Sequence, residues 1–326
     1  MHVGLKCALA AISALAAVAS STSGFADPLK ITLAGGSVGG AWSAMGAAIG
    51  QTIRNEAPGS SFTYEPGRDA ANVQLVADGK VQLGITHAQM ALRAMKGEPP
   101  FKQKITNIRA IALLDPQAAV QIIVRKDSPY TSLDQIAAAK KPIRIALNDR
   151  GTMMAIAGEE VFKAAGLPVK DIAAMGGRVE YVPFNGGLDM LKNGQVDLVL
   201  NMLAFPSAQL DHLAHDMPVK LVTIPESIRT KIDKEIGTRS VTIPANAYSF
   251  QSTPVETVNG YVVLVASDKM SEAEAETITK GMLDHYDYLT NAYPSFAKMG
   301  KKGLLDVAPL DLADGAKKAY KAAGVE

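Results

Sequence analysis

Gly35-Gly36-Ser37-Val38-Gly39-Gly40-Ala41-Trp42 places four glycines between an apolar run, Leu29–Leu33, and a helical pattern, Gly40–Glu56. Glycine lets a backbone turn sharply and approach a bound group closely. The free N–H groups at a helix start favour an anion. Ser37 adds a hydroxyl donor. Gly36, Ser37, Val38 and Trp42 are therefore candidate ligand-binding residues. No Lys-Ser/Thr follows, so this is no P-loop, and the spacing is not GxGxxG. The stretch also matches GxSxG, the turn of a serine hydrolase. Against that alternative, the match sits on the first strand, and no His stands in an acid-paired motif near the C-terminus.

A second turn of the same kind is Asn148-Asp149-Arg150-Gly151-Thr152. Gly151 and Thr152 offer N–H and hydroxyl donors, and Arg150 has the fork that clamps a carboxylate. A third is Gly67-Arg68-Asp69-Ala70-Ala71-Asn72, in which Asp69 is expected to cap a helix and Arg68 and Asn72 to face the same cleft as Ser37. Asn201 joins the candidates from the strand Leu198–Met202. Trp42, Phe205 and Tyr248 are candidate apolar walls, each equally at home in a core. Asp211-His212-x-x-His215-Asp216 is the best metal pattern, but it lacks a third ligand at a suitable spacing, so neither a metal nor a cofactor is expected.

Two helix starts with anion-friendly donors need elements that bring them together. Strand-like runs at Leu29–Leu33, Ser61–Glu65, Val81–Thr86, Ile108–Leu114 and Val120–Lys126 alternate with helical patterns. The alternation resumes at Ile143–Leu147, Thr152–Ala165, Val179–Phe184, Leu198–Met202 and Val219–Ile224. This implies an α/β chain whose sheets are mostly parallel and flanked by helices. Asp78-Gly79-Lys80-Val81-Gln82-Leu83-Gly84-Ile85 parallels Asn193-Gly194-Gln195-Val196-Asp197-Leu198-Val199-Leu200, which suggests two lobes of related plan. The C-terminal third leaves the alternation, with a β-rich run Thr257–Ser267 and helices expected over Glu272–Leu289 and Leu310–Ala323. It is expected to return to the first lobe. The expected division is 27–121 and 249–326 for lobe 1 and 122–248 for lobe 2. A small anion would sit between them, with closure hinged at the crossovers.

The 326 residues carry a net charge of +1, which gives no support for a nucleic-acid partner. An apolar share of 48% supplies a core, and a charged share of 20% argues against disorder. Cys7–Ala19 is an apolar run too short to span a bilayer comfortably. Small residues follow, ending at Gly24-Phe25-Ala26, so residues 1–26 read as a secretory signal peptide. Cleavage there would remove Lys6 and the only cysteine, Cys7, leaving a neutral, thiol-free chain.

The ordered motifs resemble the TAXI family, the solute receptors of tripartite TRAP transporters. Gly36-Ser37-Val38-Gly39-Gly40 resembles its GSxGG signature, with Trp42 close to the family's usual Tyr. Arg68–Asn72 with Leu75 and Gly79 resembles GSxxN…L…G, and Leu83-Gly84-Ile85 with His87 and Ala91 resembles DLGIxQ…A. Arg150-Gly151-Thr152 resembles GSGT. Gly194–Asp197 with Phe205-Pro206 resembles DGxIDA…GxP. Ile243–Tyr248 resembles IPxGxY, and Asp314–Tyr320 resembles HPGAxKYY. The resemblance implies a two-lobed periplasmic receptor that catalyses nothing. Such a receptor captures a small carboxylate-bearing solute (an amino acid, dicarboxylate or oxoacid) and delivers it to TRAP membrane subunits. It also implies His87 among the binding residues. The departures are Arg68-Asp69-Ala70 for Gly-Gly-Ser, Asp149-Arg150 for Gly-Ser, and Ala313 for the terminal His. An ABC-type receptor for another anion is the alternative within binding proteins.

Overall fold

The structure, a computed structural model, describes residues 26–325. The expected leader lies outside these residues except for Ala26. The first stretch runs β1 (Lys30–Ala34), α1 (Ala41–Glu56), β2 (Ser61–Glu65), α2 (Asp69–Ala77), β3 (Leu83–His87), α3 (Ala88–Lys96) and β4 (Ile108–Arg125). β1 pairs in parallel with β2 and β3. All five residues of β3 are buried, as expected for a strand covered on both faces. β2, at the edge, alternates between exposed and half-buried residues.

The second stretch runs α4 (Leu133–Ala139), β5 (Arg144–Leu147), α5 (Met153–Ala164), α6 (Val169–Ala174), β6 (Arg178–Tyr181), α7 (Phe184–Lys192), β7 (Leu198–Leu203), α8 (Ala208–Asp216), β8 (Val219–Val222), α9 (Glu226–Ile236) and β9 (Arg239–Ile243). Here β5 pairs in parallel with β6 and β7. The chain closes with β10 (Val255–Ser267), α10 (Glu272–Asp284), α11 (Tyr286–Ala292), α12 (Pro294–Gly303) and α13 (Asp314–Ala322). α10 and α11 pack against α1, and α13 packs against α10.

Two long strands join the parallel halves. β4 pairs with β10 along its first part and with β7 and β8 along its second. β10 reaches β3 at one end and β9 at the other. The path through the sheet is therefore β2-β1-β3-β10-β4-β7-β5-β6. The chain has two α/β halves, each parallel, bridged by antiparallel strands common to both. One apolar cluster contains Leu33 and Ile85 from one half and Ile145 and Leu200 from the other.

Three expectations change. Ile108–Leu114 and Val120–Lys126 form one strand, because Asp115-Pro116 sits where the β4–β10 register shifts and a ladder N–H is dispensable. The helix expected over Glu272–Leu289 breaks at His285, whose φ of −111° and ψ of 39° leave the helical region. The last helix begins at Asp314 rather than Leu310.

Candidate functional site

A cavity of about 210 Å³ lies between the halves, at the level where β4 and β10 cross. Its first wall is the glycine loop before α1. Tyr64 on β2 holds that loop: its hydroxyl accepts from the Gly36 N–H at 2.7 Å and donates to the Gly36 carbonyl at 2.9 Å. Burial pushes the Tyr64 phenol up to about 12, so it remains a donor. A Cβ at Gly35 would fall 2.3 Å from that hydroxyl, so the ring's approach demands glycine. Asn72 ties the loop to β3, its amide donating to the carbonyls of Gly35 at 2.9 Å and Ile85 at 2.8 Å. Held this way, the N–H groups of Ser37, Val38, Ala41 and Trp42 have no acceptor among the described residues.

The facing wall comes from the second half. Pro183, Phe184 and Asn185 bring the start of α7 to the cavity. The N–H groups of Phe184 and Asn185 are likewise free of partners among the described residues. Two helix N-termini, those of α1 and α7, thus present open donors to one space. The macrodipoles add positive potential at both.

The start of α5 is already taken. Its Met153 N–H donates at 3.0 Å to Asp69 Oδ2, a carboxylate of the opposite half. The same side chain's Oδ1 accepts from His87, at 2.8 Å from the backbone N–H and 2.7 Å from Nδ1. Burial pushes the Asp69 carboxyl up, but the His87 charge and the hydrogen bonds from His87 and Met153 outweigh it and hold it below the usual carboxylate value. Asp69 is therefore the first residue of α2 and not its cap, because its oxygens are spent on β3 and α5. Beside it, the Ala70 N–H donates to the Gly151 carbonyl at 3.3 Å, and Arg68 lies 3.6 Å from Asp149.

A buried acid completes the floor. Asp115, on β4, accepts from the Gln117 N–H at 3.0 Å and from the hydroxyls of Ser295 and Tyr293, both at 2.9 Å. No cation pairs with it among the described residues, and burial raises its carboxyl above the usual value despite three donors. Burial, then the Asp115 charge, push the Tyr293 phenol upward as well.

Eight of the expected residues line this cavity: Gly36, Ser37, Val38 and Trp42 from the glycine loop and α1, and Arg68, His87, Thr152 and Asn201 from elsewhere. Thr152 caps α5, accepting from the Ala155 N–H at 3.1 Å. Asn201 accepts from the Asn148 amide at 3.2 Å. Five others stand outside the lining. Asn72 is the buried brace just described. The Arg150 guanidinium stacks 3.5 Å over the Tyr181 ring instead of entering the cleft. Gly151 contributes its carbonyl to Ala70. Phe205 is core, and the Tyr248 hydroxyl donates to Gln121 at 2.7 Å and accepts from the Ser207 N–H at 3.1 Å, bracing the loop after β7. Asp115 and Tyr293 also line the cavity and lie outside the expected set. An acid standing in an otherwise apolar strand run was the available signal for the first, whereas Tyr293 arrives by tertiary packing alone.

Ser37 is exposed, and none of the four histidines in the described residues donates to or accepts from its hydroxyl, so the hydrolase constellation is not assembled. His212 and His215 lie on α8, and among the described residues no three potential metal ligands cluster.

The model of the NMT1-like family matches residues 33–324. The chain belongs to the NMT1-like family. No curated protein matches it in sequence. Among solved structures, it is similar to MatC from Rhodopseudomonas palustris with bound malate, at 15% identity and TM-score 0.54 over 92% of this chain and 100% of that one. It is similar to the periplasmic binding protein BugD, at 15% identity and TM-score 0.53 over 92% and 98%. It is also similar to PhnD1 from Prochlorococcus marinus in complex with methylphosphonate, at 12% identity and TM-score 0.51 over 84% and 99%. The fold is that of two-lobed periplasmic binding proteins. The chain thus combines membership of the NMT1-like family with this fold. The narrower likeness to TAXI receptors is not part of this assignment, which reaches the broader family. No helix among the described residues is long and apolar enough to cross a membrane.

Proposed function

We propose that this NMT1-like protein is a periplasmic receptor for a small anionic solute bearing a carboxylate, which it passes to TRAP transporter membrane subunits. One observation carries the choice of ligand. The α1 and α7 N-termini, one from each half, turn unpartnered N–H groups onto a single cavity. An oxyanion there would receive several backbone donors at once, from both lobes, and would hold the lobes together. The cavity's size suits a solute of amino acid or dicarboxylate scale. Two of the similar structures hold malate and methylphosphonate, which fits the same chemistry. The lobes of this receptor are 27–121 with 249–326, and 122–248. The apolar leader over residues 1–26 would supply export.

Trp42 is the only tryptophan and lines the cavity, so its emission reports on the site. The purified chain, stripped of ligand by unfolding and refolding, is titrated with amino acids, dicarboxylates, oxoacids and phosphonates, with thermal shift in parallel. Saturable change with one class of anion is the expected result. Silence in both readouts across the panel would overturn the anion reading. Co-purification with a tagged pair of TRAP membrane subunits tests the partner. Capture instead by an ABC permease would reassign the transporter and leave the solute site standing.

A further inference from the structure

Within the cavity His87 carries a ring nitrogen without a partner although the residue is buried. His87 is only 2% exposed. Its Nδ1 is committed to Asp69, which fixes Nδ1 as a donor. Its Nε2 has no hydrogen-bond partner among the described residues, and the ring lines the cavity, packed 5.3 Å from Trp42. We propose that His87 Nε2 is a proton-gated hook for the solute's anionic group, and that Asp69 couples that hook to closure of the two halves. The inference rests on the anion-receptor reading and adds its regulation.

Charge and tautomer argue for the gate. With Nδ1–H given to Asp69, a neutral ring offers a lone pair at Nε2, which repels an oxyanion. Only the doubly protonated ring donates there. The charged and titratable groups that line the cavity with His87 are Asp69 and Arg68 from α2, Asp115 from β4, Asp149 from the loop before α5, and Tyr293 from the start of α12. Three carboxylates thus stand against one guanidinium, which is itself paired with Asp149. An anion entering this lining meets net negative charge unless the ring carries its second proton. Bound anion in turn raises the ring's affinity for that proton. Binding that needs the ring's second proton weakens as pH rises.

Geometry argues for the coupling. Asp69 is fully buried, with one oxygen on His87 and the other on the Met153 N–H of the opposite half. A protonated ring keeps Asp69 ionised, so both oxygens stay acceptors and the bridge between halves is held. An amide at this position has one acceptor and one NH2, and would turn donor against donor on one side or the other.

Calorimetric titrations with L-malate, L-glutamate and 2-oxoglutarate, run in two buffers of different protonation enthalpy from about pH 5.5 to about pH 8.5, test both parts. For the acid that binds, the expected result is proton uptake on binding and a Kd that rises by up to about tenfold per pH unit on the steep limb. His87→Gln should flatten that profile. Asp69→Asn should weaken binding by about tenfold or more and flatten it too, because the ring loses its orienting acceptor or the bridge. Melting curves check that both variants fold, and if Asp69→Asn does not, the His87→Gln profile decides the hook. Binding without proton uptake, or a pH slope that survives in His87→Gln, would overturn the hook. A slope unchanged in folded Asp69→Asn would overturn the coupling. If none of the three acids binds at any pH and the wider anion panel is silent as well, the anion reading itself falls, a result distinct from binding that is pH-independent.

Discussion

Asp115 is expensive where it sits. A carboxylate buried without a cation is disfavoured, and three neutral donors do not offset its desolvation, so its carboxyl is raised. A folded-state pKa above the unfolded value gives stability that is present below the ordinary carboxylate pKa of about 3.9 and is lost as pH rises through the raised value. Asp115→Asn removes that loss. Its oxygen can keep the Gln117 and Ser295 donors while its NH2 donates to the Tyr293 hydroxyl. The variant should therefore melt above the parent at pH 7, with the gap closing below about pH 4, as followed by circular dichroism. A lower melting temperature at pH 7 would show that the three donors do stabilise the charge. Ser37 is the contrasting case, with an exposed hydroxyl on the cavity rim that has no partner among the described residues. Ser37→Ala should leave stability unchanged and weaken solute binding by about 1 kcal/mol, the worth of one hydrogen bond, in the Trp42 titration. Arg150, stacked on Tyr181 outside the cavity, should be replaceable by Ala with little change in that affinity. A tenfold loss would put its guanidinium back in the cleft.

At the scale of elements, α1 and β2 show how a loop is held rigid enough to bind. Two α1 glycines one turn apart, Gly46 and Gly50, let the rings of Tyr64 and Phe62 pack against the helix backbone. A Cβ would lie 2.5 Å from Tyr64 at Gly46 and 2.4 Å from Phe62 at Gly50. Gly50→Ala gains helix propensity of about 1 kcal/mol. It should nonetheless destabilise by about 1–3 kcal/mol, since the overpacked ring must move, and a urea denaturation curve reads the balance. The same comparison explains what the sequence conveyed. A strand–glycine–helix turn sets the direction of its own N–H groups locally, so the glycine loop could be placed on the cavity from sequence alone. Asn148–Thr152 has the same local form, yet the N–H that follows it, that of Met153, is taken by Asp69 from the other half, and no local pattern encodes that. Asn72 reads as a cleft residue because it is polar beside the loop, but packing turns it inward as a brace. The α/β alternation was readable from hydrophobic runs, whereas the union of two runs into β4 depended on a register shift around Pro116 that only the partner strand reveals.

The molecule as a whole is two halves that share strands and apolar packing. β4 and β10 each pair within both halves, and a single cluster spans Leu33 to Leu200. Three contacts of the α2 N-terminus add a polar bridge across the cleft. The exposed Arg68–Asp149 pair contributes least to it, because such pairs are worth about 0–1 kcal/mol. Halves linked only by flexible crossovers would melt separately. Halves that share two core strands should not, because unfolding either one strips the strand partners and apolar cover from the other. We expect a single unfolding transition, with far-UV circular dichroism and Trp42 emission coincident although Trp42 belongs to one half. Two separated transitions would mean that β4 and β10 act as hinges without cooperative linkage. A solute that binds only the closed arrangement should move the whole transition, by about 2.7 kcal/mol at a hundred times its Kd. If the solute raised only the Trp42 transition and left the dichroism transition in place, it would be held by one lobe, and the opposed α1 and α7 N-termini would not share a ligand.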